Sequence, residues 1–98
     1  MTCVAVTPVS TATRTAVVAS RVGLHARPAS LVVQAAAATG LPVTIALGSG
    51  DPVDARSILL VMGLGAQHGD EVVLTAQGDG AEAALETLAG LVETDHDA

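Results

Sequence analysis

The sequence predicts an α+β fold, an open-faced β-sandwich in which an antiparallel sheet carries its helices on one face. Three observations lead there. The chain has 98 residues, enough for one core and no more. Its strand-like and helix-like stretches run in the order strand, helix, strand, strand, short helix, strand, helix (β-α-β-β-α-β-α). The helical stretches are amphipathic, and a single layer of such helices needs only one apolar sheet face to cover, leaving the other face to water. Half of the residues are apolar yet Phe, Trp and Tyr are absent, so the core has to be assembled from Leu, Val, Ile and Ala and is expected to be modest.

Residues 1–10, rich in Thr, Val and Ser and holding Pro8, read as a loose extension ahead of a single domain over 11–98; removing them is expected to be tolerated. The run TATRTAVVA, from 11 to about 19, is β-branched and loosely alternating, which predicts a strand. Residues 20–25 form a connection. Between 26 and 39 the apolar positions Ala29, Leu31, Val32, Val33, Ala35, Ala36 and Ala38 fit a helix, with Pro28 tolerated in its first turn and Gly40 just past its end. LPVTIAL and PVDA flank the turn residues Gly48, Ser49, Gly50 and Asp51, the pattern of a hairpin. SILLVMGL, over 57–64, is apolar without clean alternation and ends in glycines; it reads as a short helix starting at Ser57, with a buried strand as the alternative. DEVVLTA, over 70–76, is strand-like after the turn signal Gln67, His68, Gly69, and Gly78, Asp79 and Gly80 make another loop. Ala81, Ala84, Leu85, Leu88, Leu91 and Val92 then recur at spacings of three and four, predicting a last helix that exposes Glu82, Glu86 and Glu93.

Composition narrows the function. Four Arg and no Lys against ten Asp and Glu leave a net charge of −6, and no Arg follows position 56. Nucleic acid is a poor partner for such a chain, because phosphate binding needs basic residues and strand recognition usually adds aromatic stacking. Mean hydropathy is positive, +0.57, but Thr, Gly, Gln, Arg or Pro interrupts every apolar stretch before the roughly 18 residues a membrane helix needs, so no membrane insertion is expected. The opening segment lacks a basic start before its apolar part, and no signal peptide is expected. Cys3 stands alone, which rules out an internal disulfide and suits a reducing, cytoplasmic setting.

The informative stretch is Gly23, Leu24, His25, Ala26, Arg27, Pro28, Ala29, Ser30. It places an imidazole in the last loop position before a helix whose first turn carries Arg and Pro. A helix start leaves backbone N–H groups without intrahelical partners and has a partial positive charge, so it offers an anion site within reach of an adjoining side chain. A phosphoryl group fits there, with His25 as nucleophile and Arg27 supplying fixed positive charge to its oxygens. Gly23 lets the loop turn tightly, and Pro28 costs no backbone hydrogen bond. The plainer reading of His25 is a loop or N-cap residue beside an ordinary helix.

GLHARPAS resembles the active-site signature of HPr, the histidine-containing phosphocarrier family of the bacterial phosphoenolpyruvate-dependent sugar phosphotransferase system. The resemblance runs from about residue 14 to 92 and includes ARSILLVMGLGAQHGDEVVL, similar to the family's second motif around a serine at the start of the short helix. It implies a four-stranded antiparallel sheet with three helices on one side. It also implies that His25 accepts a phosphoryl group on Nδ1 from phosphorylated enzyme I and passes it to an enzyme IIA domain, with Arg27 assisting and Gly23, Ala26 and Pro28 supporting the loop. Ser57 matches a serine that is a regulatory phosphorylation site in some relatives, where an HPr kinase acts on it; its plainer role is a helix N-cap with Asp54 and Arg56 as solvated neighbours. Ile58, Leu59 and Met62 fall where the family docks its partners. Ile58 is expected to belong to the core, with Leu59 and Met62 shared between core and docking. Gln34, Ala37 and Leu60 are uncharged where many relatives are basic, leaving Arg27 and Arg56 nearby.

The leading expectation is a cytoplasmic, monomeric phosphocarrier acting through phosphohistidine, a substrate of other enzymes and not a free-standing one. Rival readings are a module of a dihydroxyacetone kinase or another dedicated phosphotransfer chain, a regulatory module that binds through Ser57, and a small phosphatase, which lacks an evident general acid. His68, in a Gly-rich turn, and His96, in the acidic tail, read as solvated polar residues. No set of His, Cys and carboxylates has metal-ligand spacing, and neither metal nor cofactor is expected.

Overall fold

A computed structural model describes residues 11–94; the expected extension at 1–10, Cys3 and His96 lie outside the described residues. Strand β1 (Thr11–Val17) leads to helix α1 (Ala26–Thr39), followed by β2 (Val43–Leu47), β3 (Val53–Asp54), α2 (Ile58–Gly63), β4 (Glu71–Gln77) and α3 (Ala81–Val92). The strands form one sheet in the order β1-β4-β2-β3, with every neighbouring pair antiparallel.

Register sorts the side chains. Val43 stands opposite Ala76, Ile45 opposite Leu74 and Leu47 opposite Val72, and on the other side of β4 Ala76 faces Ala12 and Val72 faces Ala16. Successive side chains on a strand point to opposite faces, so these rows line the helix-covered side. Val43, Ile45, Val72, Leu74 and Ala76 are all buried there. The opposite face carries the row Thr13, Thr75, Thr44, Asp54, residues that tolerate water. Arg14 shares the helix-facing register of Ala12 and Ala16 but is exposed, because β1 is an edge strand.

Above the sheet, α3 packs on β1 and β4 and also on α1, while α1 meets α2 and α2 meets β3. Val32 and Ala36 of α1 and Leu85, Leu88 and Val92 of α3 complete an aromatic-free core. α1 ends where Gly40 adopts a left-handed conformation (φ +69°) that would strain a side-chain-bearing residue, and its N–H donates to the Ala37 carbonyl.

Several boundaries differ from the expectations by one to a few residues. β1 ends at Val17, after which Val18 N–H still donates to the Asp70 carbonyl at 2.9 Å before the chain turns away. PVDA supplies only two strand residues, since the chain turns after Asp54: the N–H of Ser57 donates to the Asp54 carbonyl and that of Arg56 to Asp54 Oδ1. Ser57 is the N-cap of α2, the plainer role expected of it, its Oγ accepting from the Leu60 N–H at 3.4 Å.

Candidate functional site

The site grows out of the loop between β1 and α1, which is tied down from several directions. Ala19 N–H donates to the Val92 carbonyl at the end of α3, and Gly69 N–H to the Val18 carbonyl. Gly23 N–H donates to Ser20 O and Leu24 N–H to Ala66 O at 2.9 Å. Gly23 has φ +81°, and a Cβ there would run into the Ala66 carbonyl oxygen, so both dihedral and space demand glycine. Leu24 is 4% exposed and anchors the loop in the core.

That anchorage delivers His25 to the N-cap of α1 in extended conformation (φ −90°, ψ −163°). Its carbonyl accepts the Ala29 N–H at 2.9 Å, and its side chain makes no capping bond to the helix. The residue is half-buried. Ala26 and Arg27 occupy the first two helical positions, where an N–H has no acceptor within the helix; Pro28, at the third, has no N–H to satisfy. Pro28 and Ala29 are buried, whereas Ala26 and Arg27 face water. The arrangement therefore sets His25 directly ahead of two backbone N–H groups that lack acceptors within the helix and of the exposed Arg27.

A shallow depression of about 260 Å³ joins His25 to the rest of this surface; Val22, Leu24, Met62, Gly65, Ala66 and Gln67 line it with the histidine. Larger hollows, of about 450 and 270 Å³, lie between β1 and α3, lined by residues such as Arg14, Glu82 and Asp79, and contain no histidine. A group that has to meet another protein is better served by the open depression than by a cavity.

Beside it, α2 presents apolar side chains to solvent. Leu59 is 80% exposed, and Ile58, Leu60 and Met62 are each 38 to 47% exposed; Val22, on the loop before His25, is 63% exposed. The expectation that Ile58 belongs to the core is wrong: within α2 only Val61 is buried. Leu60 and Val22, which sequence reasoning did not place in an apolar patch, belong with Ile58, Leu59 and Met62. A signal existed. Six residues make fewer than two turns, so one helix face cannot bury five large apolar side chains.

Asp54 and Arg56, solvated neighbours of Ser57 as expected, are also paired with each other. Arg56 Nε and Nη2 reach Asp54 Oδ1 and Oδ2 at 3.1 and 3.2 Å, a forked ion pair. Its side-chain hydrogen bond holds the Asp54 carboxyl below the usual carboxylate range and raises Arg56. Arg56 is thus committed locally, while no described carboxylate pairs with Arg27. His68 lies in the turn beside Ala66, its Nδ1 3.2 Å from the Ala19 carbonyl oxygen, a tie across 49 positions that no local pattern announces. Among the described residues, no three His, Cys, Asp or Glu come together as a metal site.

Comparison with known proteins decides the family. The profile of the PTS-HPr family, described as the PTS HPr component phosphorylation site, matches residues 12–94. The chain belongs to the HPr family of phosphocarriers. A phosphocarrier protein HPr of Streptomyces coelicolor is 66% identical over 70 residues, a match covering 71% of this chain and 75% of that one. Another from Haloferax volcanii is 44% identical over 84 residues, covering 83% and 92%. The crystal structure of a phosphocarrier protein HPr from Bacillus anthracis superposes with a TM-score of 0.79 at 36% identity, covering 85% of this chain and 98% of that one. The HPr architecture of a four-stranded antiparallel sheet under three helices is thus the fold of this chain. No described helix is long and apolar enough to cross a membrane.

Proposed function

We propose that His25 is the phosphoryl-carrying residue of this HPr-family chain. It accepts the group on Nδ1 from phosphorylated enzyme I and hands it to an enzyme IIA domain. The observation that carries the reading is the place of His25 at the N-cap of α1, half-exposed and making no capping bond, beside the N–H groups of Ala26 and Arg27. In the transfer the ring nitrogen attacks phosphorus in line with the donor's breaking bond; a second attack, by the acceptor, reverses this. Amide donors fixed by the helix stabilise the oxygens at no cost of reorganisation, and the Arg27 guanidinium adds charge from the exposed side. Gly23 and Pro28 support this by holding the loop and the helix start.

Docking falls to Val22, Ile58, Leu59, Leu60 and Met62, an apolar patch continuous with the depression at His25. The chain acts in the cytoplasm as a monomer. Ser57 adds a regulatory reading, favoured by its place at the start of the docking helix: a phosphate made there by an HPr kinase would put negative charge beside the patch and weaken acidic partners. Incubation with enzyme I and phosphoenolpyruvate, followed by mass, tests the main reading. One acid-labile phosphate is expected on the wild type and none on His25→Ala; undiminished labelling of that variant overturns it.

A further inference from the structure

We propose that Met62 is an oxidation-sensitive contact of the docking patch, whose thioether a peroxide converts to a sulfoxide and thereby slows phosphoryl entry at His25. The inference rests on the phosphocarrier reading and deepens it by assigning the site a redox control. Met62 is the only sulfur-bearing residue between 11 and 94, and the chain has no Trp or Tyr to compete for an oxidant. It is 40% exposed on α2, and it lines the same depression as His25. Around it, residues 57–69 carry no Asp, Glu, Lys or Arg, and Ile58, Leu59 and Leu60 on the same helix are exposed and apolar.

The chemistry balances with the peroxide alone. The sulfur lone pair attacks one peroxide oxygen, the O–O bond breaks, that oxygen stays on sulfur and the other leaves as water; sulfur loses the two electrons that the peroxide gains. The product replaces a flexible apolar side chain by one with a strong hydrogen-bond acceptor. Covering that acceptor on docking, on a helix whose other exposed side chains Ile58, Leu59 and Leu60 are apolar, costs binding free energy.

The test uses the full chain treated with hydrogen peroxide, with one added oxygen located on the Met62 peptide by mass. We expect kcat/KM for phosphorylation by enzyme I and phosphoenolpyruvate to fall about tenfold and to recover with methionine sulfoxide reductase. Met62→Leu retains Met1 and Cys3; whatever its own starting rate, peroxide should leave that rate unchanged. Three results overturn the proposal: resistance of Met62 to peroxide, full activity of the sulfoxide form, or equal loss in treated Met62→Leu. Untreated wild type that takes up no phosphate overturns the phosphocarrier reading as well, which separates the two failures.

Discussion

Gly23 is required twice over. Its positive φ disfavours any side chain, and the Ala66 carbonyl occupies the space a Cβ would fill. Gly23→Ala is therefore expected to destabilise the fold by about 2 to 3 kcal/mol, read as a lower urea midpoint. Because Leu24 N–H bonds to that same carbonyl, a shift to relieve the clash would also displace the approach to His25 and lower the rate of phosphate uptake beyond what unfolding explains. The role of glycine in a tight turn was legible from GLHARP. The backbone it approaches was not, since Ala66 lies far along the chain. The same holds for His68, whose bond to the Ala19 carbonyl pairs two loops.

At the scale of the element, α1 and α2 differ in how much of them could be read locally. α1 follows from spacing, an early proline and a trailing glycine, and it spans 26–39 as the pattern predicts. α2 is too short for periodicity to say which side faces inward, and of its apolar residues only Val61 faces the core. Its start depends on Ser57, whose Oγ takes the Leu60 N–H. Ser57→Ala should cost about 1 kcal/mol in chemical denaturation while still allowing phosphate uptake at His25. A serine that mattered only to regulation would leave stability unchanged. The brevity of β3 has a similar local origin: the turn that Asp54 builds with Arg56 and Ser57 ends the strand before PVDA is complete.

For the whole molecule, an aromatic-free core leaves stability to aliphatic contacts between α3, α1 and the sheet. Leu88 of α3 is fully buried, and Leu88→Ala should cost about 2 to 5 kcal/mol, seen as a lowered midpoint in thermal unfolding followed by far-ultraviolet circular dichroism. Alternation and amphipathic spacing are local properties of the chain, and they carried the element order, the antiparallel sheet with one covered face and the place of His25 ahead of a helix. Strand order, the Ala66 tie, the fork between Asp54 and Arg56, and the depression joining His25 to Met62 arise only when distant segments meet. Side-chain spacing records which face an element turns inward; it holds no information about which neighbour that face will find.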